Sequence, residues 1–173
     1  MPRTVTERRL ISQAAGGDPD AFLQLIQPHD RALRGLAYRM LRDRHLMDDA
    51  VQDAYLAAYR SLPRFRGDST FKTWIFRITH NACIDIIRKR RDVAEVEDPV
   101  AEGFDDATSL RLDLAEALAR LPLDHREVLL IVDLHGFDYG AASEILDIPV
   151  GTVRSRLSRA RRSMQRLLEG GGS

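Results

Sequence analysis

The chain has 173 residues, of which 44% are hydrophobic and 30% charged, the balance of a folded protein and not of a disordered one. No apolar run approaches the ~20 residues that span a bilayer, and the first residues lead into no long apolar core, so neither a membrane anchor nor a signal peptide is expected. A cytoplasmic protein is the expectation. Cys83 is the only cysteine, which excludes an internal disulfide and any multi-cysteine metal site.

Net charge is zero, but it is a cancellation. Residues 1–91 hold 17 Lys and Arg against 10 Asp and Glu, residues 92–110 hold none against 7, and residues 111–173 hold 9 against 9. Local fields, not the total, steer a protein toward phosphate.

In chain order the pattern is helical. Ala21, Phe22, Leu25 and Ile26 recur at spacings of three and four, as do Leu33, Leu36, Ala37, Met40 and Leu41. Ala50, Val51, Ala54, Tyr55 and Ala58 repeat the spacing, with Asp49, Gln52, Asp53 and Arg60 on the opposite side. Phe71, Trp74, Ile75, Ile78 and Ala82 form the next stripe, extended by Ile86, which assigns Trp74 to the core. The basic run Arg88-Lys89-Arg90-Arg91 closes this part. From Asp92 to about Leu110 the chain is acidic, holds Pro99 and Gly103 and has no apolar period, which is the composition of a flexible linker. Beyond it, Leu110, Leu114, Ala117, Leu118 and Leu121 predict a helix stopped by Pro122, and Val128, Leu129, Val132 and Leu134 belong to the following one. No alternating strand pattern competes. The expected fold is all-α: two small helical domains, residues 1–91 and 111–169, joined by an acidic linker over 92–110, with a short tail over 170–173.

Residues Phe137 to Arg162 are the most specific stretch. A short helix, about Tyr139 to Leu146, runs into Asp147-Ile148-Pro149-Val150, and a second opens at Gly151-Thr152. Pro149 blocks continuation of the first, and Thr152 is placed to satisfy open N–H groups of the second. Gly140 lowers helix propensity by up to ~1 kcal/mol, so the first helix should start weakly or late. In the second, Val153, Leu157 and Ala160 should face the core, leaving Arg154, Ser155, Ser158, Arg159 and Arg162 outside. Arginine forks onto guanine in a major groove and serine allows close approach, so this face suits DNA reading.

The run Gly151-Thr152-Val153-Arg154-Ser155-Arg156-Leu157-Ser158-Arg159-Ala160-Arg161 resembles the −35-recognition motif of extracytoplasmic-function (group 4, sigma-70 family) sigma factors. Leu121-Pro122-Leu123-Asp124-His125-Arg126-Glu127-Val128 resembles the opening of the same region 4 domain. Phe65-Arg66-Gly67-Asp68-Ser69-Thr70-Phe71-Lys72-Thr73-Trp74 through Asn81 resembles the family's −10 melting motif, and His45 to Arg60 its polymerase-docking helix. Residues 1–91 would then be region 2.

The resemblance implies a non-catalytic role with core RNA polymerase, through the coiled coil of its largest subunit and the flap of its second-largest. Promoter DNA is a further partner, and an anti-sigma factor another. Asp49, Gln52, Asp53 and Arg60 would dock on polymerase. Ser69, Thr70, Phe71 and Lys72 would cradle a −10 base, with Asn81 near the bases, Arg77 on phosphate or bracing the loop, and Arg88, Lys89, Arg90 and Arg91 along upstream phosphates. Thr152, Arg154, Ser155, Ser158 and Arg159 would meet the −35 duplex, with Arg156, Arg161 and Arg162 on phosphates or in packing. There is no P-loop, nucleophile elbow or metal-ligand spacing, so no enzyme and no cofactor is expected. The alternative is an autonomous helix-turn-helix regulator. His80 and Cys83 read as structural or incidental.

Overall fold

The computed structural model describes residues 5–93 and 109–170. Every described element is helical. Helices α1 (Val5–Ala15), α2 (Pro19–Ile26), α3 (Asp30–Leu41), α4 (Arg44–Ser61) and α5 (Phe71–Val93) build the first half. Helices α6 (Ser109–Arg120), α7 (Leu123–Leu129), α8 (Tyr139–Leu146) and α9 (Val150–Gly170) build the second. Most of the stretch read as an acidic linker, and most of the short tail, lie outside the described residues. Helix α5 runs through Asp92 and Val93 and α6 begins at Ser109, so helix enters both ends of the predicted linker.

Local chemistry sets the boundaries. The Asp18 carboxylate accepts from the Asp20 and Ala21 N–H groups at 2.9 and 3.2 Å with Pro19 just behind it, a strong start for α2. Asp43 caps α4 through the Leu46 N–H at 3.0 Å. Helix α3 ends where Arg42 turns left-handed, at φ 57°. Arg126 donates to the carbonyls of Ala119 and Leu121 at 2.7 and 3.1 Å, so it closes the open end of α6. The same guanidinium reaches the Met40 carbonyl of the first half at 3.4 Å. After α7 the chain widens into a π-type turn, Leu130–Leu134, which leaves Leu134 exposed although the apolar stripe placed it inward.

The sequence-predicted stripe of α5 holds, with Phe71 and Ile75 buried and Trp74, Ile78, Ala82 and Ile86 packed beside them. A second face of the same helix is buried as well. Phe76, His80 and Cys83 lie on it and pack toward the second half, so one apolar core runs through both halves. Phe76 meets Phe137 edge-to-face at 4.8 Å and the His135 ring at 5.1 Å.

Candidate nucleic-acid interface

In the second half the turn between α8 and α9 is built as the sequence suggested, with two differences. Helix α8 does not start late. The Asp138 carboxylate accepts from the Ala141 N–H at 2.8 Å, and a Cβ on residue 140 would lie 3.3 Å from that oxygen. Glycine therefore leaves room for the cap, and the cap offsets its low propensity. Helix α9 starts at Val150, one residue early, which puts Thr152 inside the first turn. The Pro149 carbonyl takes the Thr152 and Val153 N–H groups at 2.9 and 3.0 Å, a job expected of the Thr152 side chain. Between the helices Asp147 turns left-handed at φ 53°, and Ser143 Oγ donates to the Ile148 carbonyl at 2.6 Å, which fixes the turn.

Val153, Leu157 and Ala160 are buried, and Arg154, Ser155, Ser158, Arg159 and Arg162 are exposed along the outer side of α9. The three remaining arginines differ. Arg161 grips Asp133 with two bonds of 2.6 and 2.9 Å. Arg156 is half-buried and turns back to Glu127 at 3.4 Å and Asp124 at 3.9 Å. Only Arg162 of the three points outward without an acidic partner among the described residues.

In the first half the candidate residues fall into separate groups. Thr70 Oγ1 accepts from the Thr73 N–H at 3.0 Å and shares a 2.9 Å bond with Thr73 Oγ1, so it starts α5. Phe71 is 1% exposed, among Phe65, Trp74 and His29. It has no open ring face for a base here, because its register on α5 points into the core. Trp74 is half-buried and stacks on Phe65 at 4.9 Å, so it keeps an edge at the surface. Arg77, Asn81, Arg88 and Lys89 are exposed, Arg91 likewise, and Arg90 is half-buried. At ~100° per residue Arg77, Asn81 and Arg88 share one stripe, and Lys72 lies about 140° away from Arg77.

Lys72 faces the second half instead. Its ammonium sits 4.5 Å from the Phe137 ring centroid and donates to the His135 carbonyl at 3.4 Å. One helix turn on is Phe76, and another turn on is His80. His80 Nε2 lies 2.9 Å from Glu127 Oε2, and both side chains are nearly inaccessible to water. Glu127 Oε1 in turn receives Arg156. A carboxylate of the second half is thus held between the first half's α5 and helix α9. Burial, then the nearby charges of Arg39 and Lys72, push the His135 imidazole down to about 4, so it is neutral at neutral pH.

On α4, Asp49, Gln52, Asp53 and Arg60 are all exposed on one side. Leu56 stands among them at 47% exposed, an apolar residue the charge pattern had hidden. The inner side is fixed by Tyr55, whose hydroxyl donates to Asp30 at 2.6 Å, and by Arg34, which bridges Asp30 and Asp48. No group of His, Cys, Asp and Glu among the described residues is arranged to hold a metal, and no described helix is long and apolar enough to cross a membrane.

An all-helical chain with a helix-turn-helix and an outward arginine–serine face is, by its architecture, a DNA-binding transcription protein. Comparison with known proteins makes the family definite. Residues 25–93 match the model of sigma-70 region 2 and residues 111–164 that of sigma-70 region 4. The chain is 36% identical over 167 residues to the ECF RNA polymerase sigma factor SigM of Mycobacterium tuberculosis, covering 94% of this chain and 85% of that one. It is 32% identical over 182 residues to the ECF RNA polymerase sigma-E factor of Escherichia coli, covering 95% of each. Among solved structures, the sigma factor RpoE in complex with the anti-sigma factor NepR from Bartonella quintana superposes with a TM-score of 0.77 at 33% identity, over 86% of this chain and 96% of that one. CnrH in complex with the cytosolic domain of CnrY gives 0.74 at 31%, over 95% and 98%. The chain belongs to the extracytoplasmic-function sigma factors of the sigma-70 family.

Proposed function

We propose that this sigma factor binds core RNA polymerase through the outer side of α4 and places two DNA-facing surfaces on a promoter. The outer face of α9 reads the −35 duplex, and the Arg77–Asn81–Arg88 stripe of α5, with the loop before it, engages the melted −10 strand. Within that loop Ser69 is the candidate for base contact. Thr70 shapes the turn, and Phe71 braces it from the core. The exposed edge of Trp74 is the candidate surface for stacking. Binding free energy, not nucleotide hydrolysis, offsets the few kcal/mol of local melting.

The observation that carries the reading is the α4 face. Asp49, Gln52, Asp53, Leu56 and Arg60 are exposed together, polar around one apolar residue, which is the anatomy of a docking surface. An autonomous helix-turn-helix regulator has no use for it. A polymerase coiled coil fits the α4 face, and the flap fits region 4. An anti-sigma partner follows the example of the relative solved with one.

The described arrangement cannot read both elements at once. Sites centred 10 and 35 base pairs upstream lie roughly 85 Å apart at ~3.4 Å per base pair. Here Lys72 of the first half touches His135 of the second. Residues 94–108, 15 in number, reach about 50 Å when extended, and with the width of the two halves that suffices. The halves therefore part before both elements are bound. The test is transcription by core polymerase plus this chain on a promoter library with both elements randomised, read by sequencing the transcripts. Sequence-specific starts with two separated elements are expected. No specific initiation, together with tight binding of the chain alone to a palindromic site, would replace this reading with the autonomous regulator.

A further inference from the structure

Tyr139 opens α8 and its ring reaches α9. The Arg154 guanidinium carbon stands 5.7 Å from the centroid of its ring, within range of a cation–π contact. Arg161, gripped by Asp133 at 2.6 and 2.9 Å, also interacts electrostatically with the Tyr139 side chain. Arg154 and Arg161 are two turns apart on the same helix, so a single ring spans both. Asp133 comes from the turn after α7 and Tyr139 from the first residue of α8. The three elements therefore converge on one arginine of the recognition face.

From this geometry we infer that Tyr139 is a positioning residue for DNA reading: its ring restrains the Arg154 guanidinium at the outer face of α9, beside Arg161, which Asp133 grips. The inference rests on the reading of α9 as the −35 helix and deepens it. An arginine on an exposed helix samples many rotamers, and a fork onto a guanine edge needs one of them. Ordering it before contact reduces the entropy lost on binding. Arg159 and Arg162 have no such ring partner among the described residues and suit phosphates, which tolerate looser geometry. Arg161, for which the resemblance implies phosphate contact or packing, serves the brace. Tyr139 is 36% exposed, more than a core aromatic needs, which accords with a ring serving the surface.

The test uses holoenzyme assembled from core polymerase and the full chain on a randomised −35 library, with transcripts sequenced. Wild type, Arg154→Ala, Tyr139→Leu and Tyr139→Phe are compared, each first checked by circular dichroism for an intact helical melt. Arg154→Ala defines the base position or positions that Arg154 reads. Tyr139→Leu is expected to weaken preference at those same positions by about two- to fivefold, the size of an exposed cation–π contact, and to leave the others alone. Tyr139→Phe, which keeps the ring, is expected to retain most of the preference. The inference is overturned if Tyr139→Leu matches wild type, weakens every position equally, or is indistinguishable from Tyr139→Phe. If Arg154→Ala changes no position, Arg154 reads no base and the inference falls with it. If wild type gives no specific initiation, the sigma-factor reading of the α9 face has failed first, and that result is distinct from the others.

Discussion

The pair His80–Glu127 joins the two halves, and its removal gives a quantitative test of whether they close in solution as described. Both side chains are buried, at 6% and 10% exposed, and their atoms are 2.9 Å apart. Stripping one partner from such a buried pair leaves the other's polar group unsatisfied, which costs about 1–3 kcal/mol, and more where a charge is stranded. Here the penalty is reduced. Arg156, the second partner of Glu127, is 29% exposed and keeps Asp124 at 3.9 Å, so it can rehydrate. For Glu127→Ala we therefore expect a loss of about 2–3 kcal/mol. Glu127→Gln keeps the shape and one acceptor for His80 but loses the charge facing Arg156, and should cost about 1 kcal/mol. At ~2–4 °C per kcal/mol for a chain of this size, the alanine variant should melt about 5–10 °C lower. The decisive assay is a double-mutant cycle by urea denaturation with His80→Ala, Glu127→Ala and the double variant. Cavity terms largely cancel in the cycle, leaving a coupling of about 1–3 kcal/mol. A coupling below ~0.5 kcal/mol, the scatter of independent sites, would refute the buried contact and with it the closed arrangement.

Three further outcomes follow from the same geometry. His135 is held near pKa 4 by burial and by Arg39 and Lys72, below its unfolded value of 6.5, so between those values the unfolded chain binds more protons. Stability should fall as pH drops from about 6.5 to 4, by up to about 3 kcal/mol, and His135→Leu should flatten the slope in paired pH-dependent melts. His29, lowered by burial and then by Lys72, adds to the slope with the same sign. Burial pushes the Cys83 thiol up to about 12, so native protein should resist Ellman's reagent at pH 8 and react fully once denatured; rapid native labelling would show that the α5 core opens. Leu56→Ala should weaken binding to core polymerase about tenfold in a fluorescence titration while leaving the melting temperature within a degree or two, because the side chain packs on little else; an unchanged affinity would remove α4 from the docking surface.

How far the sequence could be read depended on whether a contact was local. The α8–α9 turn was legible because Pro149 and the apolar spacing of Val153, Leu157 and Ala160 act within a few residues of themselves. The exposed side of α4 was legible for the same reason, except for Leu56, which an apolar pattern assigns to no face. His80 reads from the sequence only as structural or incidental, because its partner Glu127 is 47 positions away and no local rule joins them. A signal was present nevertheless. Lys72, Phe76, His80 and Cys83 fall at successive turns of α5 and form a second stripe beside the one from Phe71 to Ile86. Two buried stripes on one helix mean packing against two bodies, and the second body is region 4. Phe71 and Thr70 carry two signals. Their place in a motif suggested contact with DNA, while elementary helix chemistry assigns one to the core and the other to the start of α5.

The contact between the halves engages one cation of the two proposed DNA-facing sets: Lys72 is drawn from region 2 onto the Phe137 ring and the His135 carbonyl. Arg156 and its partner Glu127 both belong to region 4, so that pair does not depend on closure. The rest of both sets, Arg77, Asn81 and Arg88 on α5 and Arg154, Ser155, Ser158 and Arg159 on α9, stays at the surface. Closure therefore leaves either surface able to meet DNA alone and opposes their joint use. Parting the halves uncovers Phe76 and Phe137 and leaves Glu127 without His80, a cost of several kcal/mol by the magnitudes above. Contacts of phosphates with the released Lys72 offset part of that cost, but one charge at the surface contributes only a kcal/mol or so. The balance has to come from surfaces that closure does not use, and the α4 face proposed to dock on polymerase is one of these. On this argument polymerase docking and opening are energetically coupled, which ties promoter reading to the presence of the enzyme.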